Sequence, residues 1–493
     1  MSSATLLRPP LPARRLPIPG RSPAPPAAQP NWIRWFILLQ FSFQLLQLTS
    51  VTTGPARTAI RIAAFGMSLL FLLLLRGTGA RHPASQPALV VLLIVALSLF
   101  HPSTTVTAGV AQFVLYLAIL APLFWMPGLR LDVKAFRSIL LMFWGFHSIS
   151  AFFGILQVYY PGRFQPNISA IVSGRGASYL KGLTFTLANG QHVLRPMGLT
   201  DMPGGAGTAG FYAVLFGLGF LLFEKRWFYR LLFIGSMFLG MTCIYLSQVR
   251  ANLVMLAFAV FALFVILMIR GSSAKVAGIA TIIGSVVLVS FLWAVAVGGT
   301  KISQRVQSLT KEAPTKTYYS NRGSFLEYTV KELLPRYPLG AGLGRWGMTN
   351  AYFGEKQSMI WAEIQWTGWL LDGGVPLILA YVTAIAFAFK IALRLTLTRR
   401  SDLGLLAAIM VAYNLGALAL TFGYPLFIGQ LGLEFWMLNA ALFSASMRDY
   451  SFFTPRAFRR EPLRRRPQFR VPGMRPPNGF QRPGALDAGP LPR

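Results

Sequence analysis

Cysteine and charged residues are both scarce in this 493-residue chain. Cys243 is the single cysteine, which excludes a disulfide framework and a cysteine-ligated metal site and leaves the redox compartment open. Only 12% of the residues are charged, whereas about a quarter are charged in soluble globular proteins. The chain is instead 54% hydrophobic, with a mean hydropathy of +0.54. These values exclude an ordinary soluble domain and indicate a protein with many membrane spans.

The formal charge of +32 is the one feature that points towards nucleic acid. However, the arginine and lysine residues lie mostly in the two tails and in short connections, not on one soluble face. Residues 1–31 and 447–493 are rich in proline and arginine and lack an apolar period, so we predict two disordered cytoplasmic tails. Membrane topology therefore explains the charge, and no nucleic-acid partner is predicted.

Apolar runs between the tails are long enough to cross about 30 Å of hydrocarbon as helices. They cover residues 32–51, 59–75, 87–101, 107–127, 135–159, 205–223, 228–246, 250–269, 276–298, 366–391, 403–422 and 428–446. No small-residue cleavage pattern follows the first run, so we interpret it as a retained span and not as a signal peptide. The sequence therefore predicts an all-α polytopic membrane protein with about twelve transmembrane helices in residues 32–446.

Cations in the short connections predict the orientation of these spans. Connections on one side carry arginine or lysine, for example Arg130, Lys225 and Arg270, whereas the connections 102–106 and 423–429 carry none. By the positive-inside rule, both termini are cytoplasmic and the long loops 160–204 and 299–365 face the outside. Residues 298–363 form the longest break between apolar runs, so a site that meets water is expected there.

Two arginines stand where they could bind an anion. Arg250 begins an apolar span at its predicted outer end, where it either faces a cavity or extends to the lipid head groups. Arg322 precedes a short helix that Ser324 and Glu327 are predicted to open as a capping box. It therefore lies either at the positive end of a helix or in a solvated loop.

Glycines at positions 342, 344 and 347 formally fit a dinucleotide-binding fingerprint. The preceding strand and the βαβ context of that fingerprint are missing, and the segment lies in a predicted outside loop. Close approach of the backbone to a substrate or to a helix is therefore the better interpretation.

Four short motifs, in this order, resemble those of a known family. They are Arg195-Pro-Met-Gly before a span, Ser247-x-x-Arg250 at the start of a span, Arg322 upstream of Arg336-Tyr-Pro-Leu-Gly-Ala-Gly-Leu-Gly, and Leu371-Asp372-Gly373-Gly374 in the next span. The set covers roughly residues 140–390. It is similar to the R-P-x-G, S-x-S-R, R…P-L-x-G-x-G-x-G and L-x-E-x-G elements of the bacterial O-antigen ligase and O-antigen polymerase superfamily.

This resemblance implies a membrane-embedded glycosyltransferase that takes a glycan from an undecaprenyl diphosphate carrier on the periplasmic face. It also implies that no metal ion, nucleotide or other cofactor takes part. Arg250 and Arg322 would bind the diphosphate, with Arg195 as a third candidate, and Gly342 and Gly344 would support the site. Fixed guanidinium groups suit this chemistry because a leaving diphosphate develops negative charge.

The chain departs from the ligases of that family at one place. Those ligases have a His–Asn pair shortly before the acid of L-x-E-x-G, where this chain has Ala362, Glu363 and Ile364. None of its histidines lies there; they are His82, His101, His147 and His192. Glu363 is therefore the first candidate for the base that deprotonates the attacking sugar hydroxyl, and the alternative is a plain acid paired with arginine or lysine.

Other carboxylates and four tryptophans complete the candidate set. The remaining carboxylates predicted to face outside are Asp201, Glu312, Glu332, Glu355 and Asp372. Asp372 is expected either to orient Arg250 or to stabilise a helix N-terminus. Trp346, Trp361, Trp366 and Trp369 are expected to anchor the protein at the membrane surface or to stack on sugar rings.

Together with the predicted spans, the resemblance implies a multi-pass protein of the bacterial inner membrane that polymerises lipid-linked repeat units into exopolysaccharide or O-antigen. Its cleft is expected between the 299–365 loop and the spans that begin near Arg250 and Trp366. A ligase that moves finished glycan to lipid A core or to protein is one alternative, and a polysaccharide transporter or flippase is another. Expected partners are the lipid-linked donor, a glycan acceptor, a flippase and a chain-length regulator.

Overall fold

The computed structural model describes residues 32–46, 54–75, 81–168, 177–200, 202–311, 313, 315, 319–354, 359–399 and 401–448. They belong to one compact unit, Met1–Asp449. The predicted N-terminal tail, and the C-terminal tail beyond Arg448, lie outside the described residues. The same is true of the candidate bases Asp201, Glu312 and Glu355.

The described chain is almost entirely helical. In chain order its α-helices are α1 (Trp32–Leu45), α2 (Gly54–Leu74), α3 (Ser85–Ser98), α4 (Val106–Leu120), α5 (Pro122–Trp125), α6 (Val133–Tyr159), α7 (Pro161–Phe164), α8 (Ala177–Gly182), α9 (Gly205–Leu221), α10 (Trp227–Ser247), α11 (Arg250–Ile269), α12 (Ser273–Gly298), α13 (Thr300–Lys311), α14 (Ser324–Tyr328), α15 (Leu334–Arg336), α16 (Gly347–Phe353), α17 (Gln365–Thr398), α18 (Asp402–Leu420) and α19 (Gln430–Met447). Short 3₁₀ helices cover Met126–Leu129 and Leu426–Ile428, and π-helices cover Tyr319–Gly323 and Thr329–Leu333. The described strands, β1 (Thr184–Thr186) and β2 (His192–Leu194), form one antiparallel hairpin.

A helix lies at each of the apolar runs found in the sequence. Within the described residues, seven helical segments are long and apolar enough to cross a membrane. They are Val106–Leu129, Val133–Tyr159, Trp227–Ser247, Arg250–Ile269, Val276–Gly298, Gln365–Thr398 and Asp402–Leu420. The protein is therefore a predominantly helical membrane protein.

Local chemistry explains how the helices begin and pack. Asp132 opens α6, because its Oδ1 accepts a hydrogen bond from the Ala135 N–H over 2.7 Å. Helices α9 and α10 cross closely at Gly210 and Gly240, where a Cβ on Gly240 would lie 2.7 Å from the Gly210 carbonyl oxygen. Small residues at such a crossing let helix backbones approach, which is a common way for membrane helices to associate.

The capping box predicted for Ser324 and Glu327 is wrong. The π-helix Tyr319–Gly323 runs directly into α14, so Ser324 lies inside a helical stretch and not at its start. Gly323 has helical dihedral angles and no side chain caps the helix there. Glu327 instead forms an ion pair with Lys331, one turn further along.

Helix α17 is interrupted at Gly373 and Gly374, whose dihedral angles are not helical. The glycine-rich segment of the second long loop, residues 338–344, packs into this interruption. The Ala341 N–H donates to the Leu371 carbonyl over 2.8 Å, and the Val375 N–H donates to the Pro338 carbonyl over 2.9 Å. Gly374 has φ +68, and a Cβ there would overlap Pro338, so glycine is required at this contact.

Candidate functional site

Arg195 directly follows the β1–β2 hairpin. In the hairpin Thr184 lies opposite Leu194, and one residue further the Arg195 N–H donates to the Leu183 carbonyl over 3.0 Å. The Nη2 of Arg195 donates to the Gly182 carbonyl over 3.2 Å, which holds the guanidinium group against helix α8. The first candidate arginine is thus held by backbone hydrogen bonds on two sides.

The segment after Arg195 is attached to helix α6 through Gln157. The Oε1 of Gln157 accepts hydrogen bonds from the N–H groups of Met197 and Gly198, over 2.8 and 2.9 Å. Its Nε2 donates to the Gly198 carbonyl over 2.7 Å. A buried glutamine that satisfies three backbone groups fixes the path of this segment.

Arg250 is the first residue of α11 and follows a two-residue connection from α10. Gln248 adopts the left-handed conformation with φ 54, and the Val249 N–H donates to the Ser247 hydroxyl over 3.4 Å. This tight connection places the guanidinium group at the end of a helix, half-buried. Its Nε is buried and has no hydrogen-bond partner among the described residues.

Arg322 and Glu363 form an ion pair between Nη1 and Oε2. The other carboxylate oxygen, Oε1, accepts a hydrogen bond from the Trp361 indole over 3.1 Å. The two side chains are 40% and 24% exposed, so the pair lies at the edge of the protein interior. Glu363 therefore has the arginine partner expected of a plain acid. The same contact places Glu363, the candidate base, next to Arg322, which is predicted to bind the diphosphate.

The three arginines form one electrostatic group, which we call the arginine cluster (Arg195, Arg250 and Arg322). Burial lowers the pKa of Arg195, Tyr179 raises it, and the positive charge of Arg250 lowers it. Burial also lowers the pKa of Arg322, where Tyr179 again raises it and Arg195 lowers it. Arg195 is thus within electrostatic range of both other arginines, although the three residues come from separate parts of the sequence.

The arginine cluster has the properties of an anion site. Among the described residues, Arg322 has an ion-pair partner, Glu363, and Arg195 and Arg250 have none, so positive charge is in excess. The buried Nε atoms of Arg195 and Arg250 have no hydrogen-bond partner among the described residues. Guanidinium groups with unused donors bind phosphate oxygens well, particularly where water is partly excluded. A ligand with several negative charges, such as a diphosphate, fits this arrangement.

Asp372 contacts helix α4 and not Arg250. Its Oδ2 accepts hydrogen bonds from Gln112 over 3.0 Å and from the Tyr116 hydroxyl over 2.8 Å. The side chain is fully buried and directly precedes the interruption of α17 at Gly373 and Gly374. The predicted orientation of Arg250 by Asp372 is therefore wrong, because Gln112 and Tyr116 of α4 bind the carboxylate. A role at a helix N-terminus stays a prediction.

The glycines of the second long loop serve close packing against helices. Gly344 has φ +74, and a Cβ there would lie 2.5 Å from the backbone of Ala108 in α4. The Leu343 N–H donates to the Thr104 hydroxyl over 3.0 Å, and Gly342 lies beside the same threonine. The sequence left open whether these glycines allow the backbone to approach a substrate or a helix. In the structure they allow it to approach a helix.

The four tryptophans divide into two pairs. Trp346 and Trp369 are 1% and 0% exposed, so they are core residues and the predicted surface roles are wrong for them. Trp361 is 38% exposed and bonds to Glu363, and Trp366 is half-buried. Hydropathy alone does not separate a buried tryptophan from one at the membrane surface.

Sequence reasoning missed Tyr179 and a buried ionisable pair in the helix bundle. His147 Nε2 lies 3.7 Å from Glu434 Oε2, and both side chains are almost fully buried. The His147 ring stacks on Tyr212, whose hydroxyl is 3.0 Å from that of Tyr413. Glu434 was detectable, since an acid inside an apolar run is unusual in a membrane helix. No sequence signal marks Tyr179.

Within the described part of the chain, no three histidine, cysteine, aspartate or glutamate side chains come together as a metal site. The chain matches no known protein-family model and no curated protein sequence.

Proposed function

We propose that this protein is an inner-membrane glycosyltransferase that polymerises undecaprenyl-diphosphate-linked oligosaccharide repeat units into exopolysaccharide or O-antigen on the periplasmic face. One observation carries the proposal: Arg195 lies within electrostatic range of both Arg250 and Arg322, and Arg322 forms an ion pair with Glu363. Each of the three arginines belongs to a motif that resembles the O-antigen ligase and polymerase superfamily, and these motifs are far apart in the sequence. The electrostatic interactions between the arginines support a common role on one anionic substrate.

In the proposed reaction the arginine cluster holds the diphosphate of the donor. The acceptor hydroxyl oxygen attacks the anomeric carbon, and the bond from that carbon to the diphosphate oxygen breaks. The electron pair of the broken bond leaves with the carrier diphosphate, whose developing charge the guanidinium groups stabilise. Glu363 accepts the proton of the attacking hydroxyl. The products are a longer glycan and free undecaprenyl diphosphate.

The proposed topology has twelve spans and two cytoplasmic termini. In addition to the seven long apolar segments, α1, α2, α3, α9 and α19 lie at the five remaining predicted spans, with lengths of 14, 21, 14, 17 and 18 residues. With the positive-inside orientation, the turn before Arg250 and both long loops face the periplasm. All members of the arginine cluster then meet the lipid-linked donor on one side of the membrane.

A ligase would use the same donor site and differ only in its acceptor. We favour polymerisation because Glu363 occupies the place at which the ligases have histidine. A polymerase also requires a flippase to deliver its repeat units and commonly works with a chain-length regulator, so these are the partners we propose.

The test is a deletion of the encoding gene followed by analysis of lipid-linked glycans and surface polysaccharide. Single repeat units left on the carrier, with surface chains absent or one unit long, are the expected result. Long polymer held on the carrier would indicate a ligase, and unchanged pools and polysaccharide would favour a transporter.

Complementation with variants then tests the site. Arg250→Ala and Arg322→Ala should fail to restore polymer, whereas Arg336→Ala, which removes an exposed arginine of the second long loop, should restore it. Normal polymer length and amount from the first two variants, at normal protein levels, would exclude the arginine cluster as the active site.

A further inference from the structure

A cavity of about 550 Å³ lies in the first long loop, beside the β1–β2 hairpin. Its lining includes Gln165, Asn167, Leu180, Thr184 and Leu194. Its volume falls within the range of about 300–1,000 Å³ typical of small-molecule sites. The motifs found in the sequence do not include these residues, and the proposed mechanism does not use them.

The lining favours an uncharged, polyhydroxylated ligand. None of the described side chains that line the cavity carries a charge. The carboxamides of Gln165 and Asn167 can each donate and accept hydrogen bonds, as hydroxyl groups of a ligand require. Leu180 and Leu194 offer apolar surface for the C–H faces of the same ligand. An anion or a metal ion would find no charged side chain among the described residues of this lining.

The cavity is joined to the arginine cluster through shared backbone elements. Leu180 follows Tyr179, whose charge interaction reaches Arg195 and Arg322. Leu194 precedes Arg195, and the guanidinium group of Arg195 is bonded to Gly182 at the end of the helix that carries Leu180. A ligand in the cavity therefore lies next to the group that would hold a diphosphate.

We propose that this cavity is a saccharide subsite, in which Gln165 and Asn167 bind sugar hydroxyls next to the diphosphate held by the arginine cluster. The inference rests on the proposed function, because it takes the cluster as the diphosphate site. The saccharide comes either from the donor, as the sugars attached to its diphosphate, or from the acceptor chain. The donor saccharide and the acceptor chain present the same hydroxyl chemistry, so binding measurements are needed to distinguish the two sources.

The experiment uses the full-length protein in lipid nanodiscs and the double variant Gln165→Leu/Asn167→Leu. The matched control is Asn189→Leu/Gln191→Leu, which removes two exposed amides of the same loop outside the cavity. In the donor arm, affinities are measured for undecaprenyl diphosphate and for the carrier-linked saccharides extracted from the deletion strain. In the acceptor arm, saccharide released from that extract is titrated into protein saturated with undecaprenyl diphosphate.

We expect the cavity variant to lose saccharide affinity by at least about tenfold in one arm, because it removes two hydrogen-bonding groups. Its affinity for undecaprenyl diphosphate itself should stay at the wild-type value, and the control variant should behave as wild type. Loss in the donor arm identifies the donor saccharide, and loss in the acceptor arm identifies the acceptor. Unchanged saccharide affinity in both arms would overturn the subsite.

A failure of the proposed function gives a different result. In that case Arg250→Ala and the wild type would bind undecaprenyl diphosphate with equal affinity, or neither protein would bind it. The free saccharide, titrated into unliganded protein, would still decide whether Gln165 and Asn167 bind sugar.

Discussion

The guanidinium group of Arg322 and the carboxylate of Glu363 bind each other directly. In the proposed reaction each of these groups has a different partner, because Arg322 binds the donor diphosphate and Glu363 takes a proton from the acceptor. The donor diphosphate and Glu363 therefore compete for the same guanidinium group. Binding of the donor would release Glu363 at the point in the cycle when a base is needed.

Replacement of Glu363 should separate binding from turnover. We expect Glu363→Gln to bind undecaprenyl diphosphate up to about fivefold more tightly, since a part-exposed ion pair contributes about 0.2–1 kcal/mol. Turnover should fall by about a hundredfold or more, because the general base is lost. Titration with undecaprenyl diphosphate and a polymerisation assay in nanodiscs measure the two effects.

Glu327→Gln is the control for that comparison, because Glu327 also pairs with a cation but lies outside the arginine cluster. Glu327→Gln should change neither the affinity for undecaprenyl diphosphate nor the turnover. Weaker diphosphate binding by Glu363→Gln would contradict the competition, and unchanged turnover would reduce Glu363 to a structural partner of Arg322.

Asp372 should matter for stability and not for diphosphate binding. Asp372→Ala leaves the buried donors of Gln112 and Tyr116 without their acceptor, at a cost of about 1–3 kcal/mol for each unsatisfied group. We therefore expect a lower melting temperature in detergent, with the affinity for undecaprenyl diphosphate unchanged in the fraction that remains folded. An unaltered melting temperature together with lost diphosphate affinity would mean that Asp372 acts on the arginine cluster after all.

The buried pair of His147 and Glu434 should show strong coupling in a double-mutant cycle. His147→Phe removes the imidazole that lies 3.7 Å from the buried Glu434 carboxyl group, and a buried polar group that loses its partner costs about 1–3 kcal/mol. The further change Glu434→Leu removes the uncompensated group, so the double variant should regain much of that stability. Denaturant unfolding in detergent measures all four proteins. Additive losses would show that the two side chains do not interact.

His82 should make stability depend on pH. Burial lowers its pKa from 6.5 to about 3, and its Nδ1 accepts the Ala84 N–H over 3.0 Å. Below pH 6.5 the unfolded chain binds a proton that the folded chain excludes. This contribution to stability is therefore complete above pH 6.5 and falls, by about 1.4 kcal/mol per pH unit, down to about pH 3.

His82→Asn keeps a hydrogen-bond acceptor and removes the titrating group. The variant should lose this acid sensitivity, whereas His192→Asn, which changes an exposed histidine, should retain it. Melting temperatures measured across this pH range test the prediction, and an identical acid slope in His82→Asn and in the wild type would contradict it.

The sequence predicts the helices and much of the candidate site, for identifiable reasons. Apolar runs of membrane length leave little choice of secondary structure, and Arg250 stands out because a cation opens an apolar run. The ion pair between Arg322 and Glu363 joins residues 41 positions apart, so its existence depends on how the second long loop folds back. No local pattern could have predicted it.

Three errors have a common physical origin in tertiary packing. Ser324 fits a capping box only if a helix starts there, and a preceding π-helical turn removes that start. Trp346 and Trp369 have the composition of interface anchors but are covered by neighbouring helices. Asp372 is expected from its motif to orient Arg250, yet its carboxylate bonds to Gln112 and Tyr116 of α4.

The backbone hydrogen bonds between residues 338–344 and the interruption in α17 also determine how a substrate can enter. If this segment swung outward, the freed Leu371 carbonyl and Val375 N–H would lie inside a membrane-spanning helix without water to replace their partners. The segment therefore behaves as a fixed wall and not as a lid. In the proposed function, a lipid-linked donor therefore has to reach the arginine cluster by a route that leaves residues 338–344 in place.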